Sequence, residues 1–303
     1  MITRLATLFL LVALAGTSSA QQIADPSFKA VVENPTFTKS FPRVLFDEGH
    51  NNFRTKMGGY RPFADLIELD GYQIVLSRKV FTKESLDAFK MLIIVDPLGA
   101  EEVDDEGAAN PAFADNEADA VRDWVKQGGS LLLIADEAPF GNAAEILAKR
   151  FGVDMSKGTT RDPANHEKES GNEAWIVYSR DNKLLMDHPI TTGRNDAEKI
   201  NRVIAFGGQS LRGPEGATVF LKLGDTAVDT APSTESKDAS AAGRAQGLAL
   251  KFGKGRLVVL GEAGMLSALL SGRERSPVGF SYPGIDNKQL ALNIMHWLSG
   301  LLK

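Results

Sequence analysis

From Arg43 onward, short apolar runs alternate with stretches of helical periodicity, and the runs give way to polar residues. Arg43–Phe46, Gln73–Leu76, Met91–Val95, Leu131–Ala135 and Arg256–Leu260 have the length and the branched, leucine-rich content of strands. Met91–Val95 is apolar throughout, the pattern of a strand buried on both faces. Between the strands, Pro62 suits a first helical turn, Phe63, Leu66 and Ile67 form a stripe at helical spacing, and Gly71 stands where that helix should stop. Thr82 is placed to cap a helix carrying Leu86 and Phe89, and Asn116 to cap one carrying Val121, Trp124 and Val125. Asn287 is placed to cap a last helix with the stripe Leu290, Ile294, Trp297 and Leu301.

Repeated strand–helix units predict parallel pairing through right-handed crossovers, with helices on both faces. The predicted fold is therefore α/β: a doubly wound, mostly parallel, flavodoxin-like sheet. Residues 175–253 break the alternation. Trp175–Tyr178, Val203–Phe206, Val219–Leu223 and Leu248–Phe252 read as short strands separated by turns, and Asp229–Ala242 has the polar composition of disorder, so this stretch is expected to be a β-rich insertion. Residues 154–174 are polar and predicted to be a mobile loop. Residues 21–40 lack a period and read as a leader to a domain spanning residues 41–303.

The first twenty residues form a signal peptide by pattern: Arg4, the apolar stretch Leu5–Ala15, and Ser18-Ser19-Ala20 before the expected cleavage. The apolar stretch is too short to span a bilayer, and no later run approaches the ~18 apolar residues a membrane helix requires. A periplasmic or secreted protein without a membrane span is expected. The chain has no cysteine, which excludes disulfides, thiolate metal sites and a lipid anchor on cysteine. The fold must then rest on an ordinary core, which about 280 residues can supply. A net charge of -5 with scattered lysine and arginine excludes the basic stripe that a nucleic-acid partner needs.

Candidate chemistry gathers at the strand ends. The first run continues as Asp47-Glu48-Gly49-His50-Asn51-Asn52, the third ends at Asp96, the fourth at Asp136 and Glu137, and the fifth at Glu262. In an open parallel sheet, ligands bind outside the carboxyl ends of the strands. Asp47, Glu48, His50, Asn51 and Asp96 are thus the candidate ligand-binding residues, and Asp136, Glu137 and Glu262 the candidate catalytic ones. Carboxylates brought close raise one another's pKa, which suits general acid/base hydrolysis, glycoside cleavage included. The plainer alternative is that Asp136 and Glu137 stabilise the start of the following helix, and that Asp47 caps a loop with His50 bonded locally. Asp47, Glu48 and His50 are donors a metal accepts, but Asp-Glu-Gly-His lacks the helical spacing of a His-Glu-x-x-His site. The metal question stays open, and the cofactor is unknown. No Gly-x-x-x-x-Gly-Lys or Gly-x-Gly-x-x-Gly joins a strand to a helix, and Gly208-Gln209-Ser210-Leu211-Arg212-Gly213 misses the nucleophile-elbow spacing.

Phe46-Asp47-Glu48-Gly49-His50-Asn51-Asn52, Trp124-Val125 with Gly128-Gly129-Ser130-Leu131-Leu132-Leu133, Asp187-His188-Pro189-Ile190 and Gly253-Lys254-Gly255-Arg256-Leu257-Val258-Val259 resemble the class I glutamine amidotransferase-like superfamily. The resemblance is to its secreted branches and to domains of gliding-motility transporters, intraflagellar-transport proteins and trehalose-utilisation proteins. It implies that a cysteine would stand at the sharp turn after a central strand, where this chain is read as Ile134-Ala135-Asp136-Glu137. Neither carboxylate can form the thioester of glutamine hydrolysis, so no glutaminase activity is expected. The sequence points to an exported domain holding a small polar ligand, such as a carbohydrate or cell-envelope fragment. Two alternatives stand beside it: a carboxylate- or metal-dependent hydrolase, and a non-catalytic envelope component with a protein partner.

Overall fold

The computed structural model describes residues 22–230 and 237–303; the predicted signal peptide, Met1–Ala20, lies outside them. A mixed α/β arrangement is organised around one mostly parallel sheet, with six α-helices among the described residues. Its first four strands are β1 (Arg43–Asp47), β2 (Gln73–Ser77), β3 (Met91–Val95) and β4 (Ser130–Ile134). Trp175–Ser179 is β5, Arg202–Phe206 β6, Thr218–Lys222 β7, Ala245–Phe252 β8 and Gly255–Leu260 β9. The four long helices are α1 (Arg61–Leu69), α2 (Asp115–Gln127), α3 (Phe140–Lys149) and α4 (Asn287–Leu298).

The sheet runs β2-β1-β3-β4-β9-β8 and continues through two-residue strands at Leu211–Arg212 and Asp154–Met155. Pairing is parallel from β2 to β9 and antiparallel from β9 outward. Alternate side chains of each central strand point to opposite faces. Val44, Phe46, Ile93, Ile134 and Leu260 join a core with α1 and α4, whereas Leu45, Leu92, Leu133 and Val259 join another with α2 and α3. Burial on both faces accounts for the unbroken apolar sequence of β3.

Local signals worked at several predicted ends. Thr82 accepts a bond from Ser85 N, Pro62 lies in the first turn of α1, and Gly71 follows that helix with a φ of 100°, a conformation glycine tolerates. Two predicted caps are not caps. α2 starts at Asp115, before Asn116, and Glu117 reaches back to the Ala114 N–H. Asn287 is buried and uses its side-chain amide on the backbone of Ile204 and Met265. Leu301 falls beyond α4 and is exposed.

The region read as an insertion divides in two. β5 and β6 form a separate antiparallel ribbon, but β8, which contains Leu248–Phe252, is a strand of the central sheet and carries β7 as well. The hairpin at Gly253–Lys254 is so short that β8 and β9 pair as neighbours. Asp229–Ala242 is ordered at its margins, where Val228–Asp229 pairs with Ala239–Ser240; residues 231–236 lie outside the described residues. Residues 154–174 are polar as expected, yet Thr160, Asp162 and Glu167 are buried there. Asp162 accepts bonds from the Ala164, Asn165 and Gly224 N–H groups, which fixes the segment in place. In the leader, Ile23–Ala24 pairs antiparallel with Leu269–Leu270. No helix of the described residues is long and apolar enough to cross a membrane.

Candidate functional site

The parallel pairs Phe46↔Ile93, Val95↔Ile134 and Leu260↔Ile134 bring the ends of β1, β3, β4 and β9 to one edge. The ladder continues past them, since Asp96 N donates to Ile134 O and Ala135 N to Leu260 O. The polar residues that follow are thus delivered side by side, in two groups.

The first group is acidic. Asp96 is fully buried on a left-handed bend with a φ of 43°. That conformation is uncommon for a residue with a Cβ and is held here by its surroundings. Its Oδ1 accepts the Asp136 N–H at 3.0 Å, and its backbone carbonyl accepts the Phe53 N–H. Asp136 Oδ1 in turn accepts the Ala263 N–H at 2.6 Å. Glu262 turns both oxygens onto backbone, accepting from Gly264 N at 2.6 Å and Met265 N at 2.7 Å. Glu137 takes the Thr159 hydroxyl at 3.1 Å. Burial raises the Asp96 carboxyl to about 6 and that of Glu262 to about 7, with Arg54 pulling both the other way. Asp136 is pushed well up, first by burial and then by the charges of Asp96, Glu262 and Glu137.

Arg54 is the buried cation of this group. Its Nε lies 3.5 Å from Asp96 Oδ2, and neither atom has a hydrogen-bond partner. Its Nη2 donates to the Gln22 side chain at 2.5 Å, so the leader reaches the acidic group. Tyr60, buried behind it, donates to Ala263 O at 2.7 Å. Gln209 donates to the carbonyls of Ala135 and Asp136 and fixes the start of the β4 exit loop.

The second group is centred on His50. Its Nδ1 lies 2.9 Å from both oxygens of Asp47, and its Nε2 lies 3.2 Å from Glu117 Oε1. Phe81 and Phe113 flank the ring, with centroids 4.7 and 4.5 Å away. Burial opposes the imidazolium, but the two carboxylates outweigh it and the pKa is raised. Asp47 also accepts from Gly49 N and Asn52 Nδ2, and Asn52 Nδ2 donates to Val95 O at the end of β3. This is a buried, mutually satisfied network.

The predicted residues thus separate. Asp96, Asp136 and Glu262 feel the charge of Arg54, with Glu137 beside Asp96 and Asp136, while His50 bonds to Asp47 on one side and Glu117 on the other. Glu48 turns away, accepting from Lys56 N and pairing with Arg78, and Asn51 is exposed. Asp136 and Glu137 are not first-turn residues of α3, which begins at Phe140 with no acid in its first turn. The left-handed bend that follows the middle parallel strand belongs to Asp96. Arg54, Tyr60, Glu117 and Gln209 were not legible as site residues, for each comes from a distant element with no spacing motif. Among the described residues, no three His, Asp or Glu side chains are arranged to hold a metal ion.

No protein-family model and no curated protein matches the chain. Among solved structures, the mmIFT52 N-terminal domain is similar at a TM-score of 0.60 and 15% identity, over 85% of this chain and 97% of that one. The cytoplasmic protein STM1381 from Salmonella typhimurium LT2 has a TM-score of 0.47 at 14% identity, over 86% of this chain and 99% of that one. A ThuA-like protein from Parabacteroides merdae has a TM-score of 0.44 at 11% identity, over 86% and 90%. At such identities the first likeness shows a shared fold and nothing of activity.

Proposed function

We propose that the chain is an exported, amidotransferase-like α/β domain, doubly wound in the flavodoxin manner, that binds a small polyhydroxylated ligand at the C-terminal edge of its sheet. The observation that carries this is the pair Asp96 Oδ2 and Arg54 Nε, a buried acceptor and a buried donor 3.5 Å apart that attract each other as charges but have no hydrogen-bond partner. A hydroxyl donates one bond and accepts two, so one sugar hydroxyl serves both atoms. Lacking cysteine, the chain has no thiol for glutamine hydrolysis. Calorimetric titration with cell-envelope sugars and their disaccharides tests the reading. Binding that falls at least about tenfold in Asp96→Asn supports it, a loss of about 1.4 kcal/mol. Failure of every sugar to bind sinks it.

A second reading, a carboxylate-dependent hydrolase, is favoured by the raised Asp136 carboxyl beside Glu137. A protonated acid next to a second carboxylate is the pairing that acid/base cleavage uses. Release of reducing ends from a bound disaccharide, abolished in Asp136→Asn, would favour it over simple binding.

A further inference from the structure

A different part of the sheet carries a cavity with its own charge. Leu211 pairs with Ala245 at the start of β8 and with Met155 on its other side, and Arg212 pairs with Asp154. Continuing the antiparallel register from Leu211↔Ala245 sets Arg212 opposite Arg244. Like charges directly opposite across strands destabilise a sheet unless something neutralises them. Asp154 meets part of that need, since its Oδ2 accepts from Arg244 Nη2 at 2.9 Å. Arg244 Nε is nevertheless buried with no partner. Arg212 forms no ion pair among those found within the described residues.

Both arginines line a cavity of about 250 Å³ whose other walls include Leu211, Pro214, Val219 and Leu248, and no acidic residue lines it. The volume lies just under the range usual for small-molecule pockets and suits a fragment-sized ligand. None of the acidic residues around Arg54 belongs to it.

We propose that this cavity is a binding site for a small organic anion, a phosphate monoester with a compact apolar body, whose phosphate sits between Arg212 and Arg244 while its apolar part rests on Leu211, Pro214, Val219 and Leu248. Two guanidiniums in one lining, with the Arg244 Nε unpartnered and its Nη2 shared with Asp154 and the Ser210 carbonyl, supply the cationic N–H donors a phosphate accepts, and the apolar walls supply the rest of the contact. The site is independent of the strand-end ligand proposed above.

The test is calorimetric titration of the full chain with phenyl phosphate, with inorganic phosphate and phenol as separate arms. Phenyl phosphate should bind one to one, and at least about tenfold more tightly than either part alone. Arg212→Gln, at an exposed position, should weaken it about tenfold, and Arg212→Lys less, since the charge remains but the fork is lost. Asp154→Asn should tighten it a few-fold by releasing Arg244 from a competing carboxylate. Without ligand, Arg212→Gln should also raise the melting temperature by relieving the facing charges. Absence of binding at millimolar phenyl phosphate overturns the proposal, as does binding that neither Arg212→Gln nor Asp154→Asn changes. Equal binding of phenol overturns it too, because the anion would then play no part.

Discussion

Asp96 and Arg54 stand 3.5 Å apart in the interior, and the carboxylate oxygen and guanidinium nitrogen that face each other have no other partner. Removing one member of such a pair strands the other as an uncompensated buried charge. Arg54→Met should therefore lower the unfolding free energy by about 3 kcal/mol, measured by urea denaturation at pH 7. Arg54→Met combined with Asp96→Asn should cost less than the two single changes added together. Strict additivity would mean that the two side chains do not interact.

The raised acids set a pH dependence. Asp96 at about 6 and Glu262 at about 7 keep their protons in the folded protein at pH values where the unfolded chain has released them. The folded state then binds more protons, so the stability these two acids contribute is full below their ordinary values and declines as pH rises through about 6 and 7. His50, raised by Asp47 and Glu117, acts in the same direction. His188, lowered to about 4 by burial, acts oppositely below its ordinary value near 6.5. The window from about pH 6.5 to 8 is thus the clean one, and unfolding free energy should fall across it. Asp136→Asn imitates the protonated acid and should flatten the profile on its alkaline side. A stability that rises from pH 6.5 to 8 would contradict these protonation states.

Asp47 is a stability residue by its bonding. Strand-end acids are expected to add little to a core, yet this one is fully buried and accepts from Gly49 N, His50 and Asn52. Asp47→Ala leaves the buried His50 Nδ1 and the Gly49 N–H without their acceptor and leaves Asn52 Nδ2 with the Val95 carbonyl alone, and a loss of roughly 2 kcal/mol should appear in the urea midpoint. An unchanged midpoint would return Asp47 to the list of dispensable polar residues.

Gly208 holds the exit of β6 close to the end of β9. Its φ is 81°, and a Cβ there would lie 2.1 Å from the Gly261 carbonyl oxygen and 2.7 Å from Glu262 Cβ. Gly208→Ala should destabilise the fold by about 2 kcal/mol or more, since backbone and not a side-chain tip has to move. Thermal unfolding of the variant is the check.

Glutamine should not be hydrolysed. Ammonia release from glutamine should match a no-protein control, because no residue in the chain can form the thioester. Activity that survives purification and disappears in Asp136→Asn would require another nucleophile and overturn the expectation.

The sequence revealed the central parallel strands because their apolar runs are buried on both faces and leave no ambiguity of period. β8 was harder to place. Its alternation Leu248-Ala249-Leu250-Lys251 reads like any short strand, and only the pairing to Val258 and Val259 assigns it to the central sheet. The acids at the strand ends were legible because parallel strands deliver their ends to one edge. What they do there was not. Whether His50 turns to Asp47 depends on Glu117, 67 positions from His50 on α2, and the left-handed bend at Asp96 has no signature in Val95-Asp96-Pro97. Arg54 stood alone in Asn52-Phe53-Arg54-Thr55, and three-dimensional proximity alone gives it its acidic company.

The bond from Arg54 to Gln22 has a practical side. Gln22 immediately precedes the Ile23–Ala24 strand, which is pinned to Leu269–Leu270. A purification tag or fluorescent protein fused directly ahead of Gln22 is therefore anchored beside the acidic residues. Lys303, exposed one residue after the buried Leu302, is the better place for a handle, and a reporter attached there leaves the strand-end edge as the fold presents it.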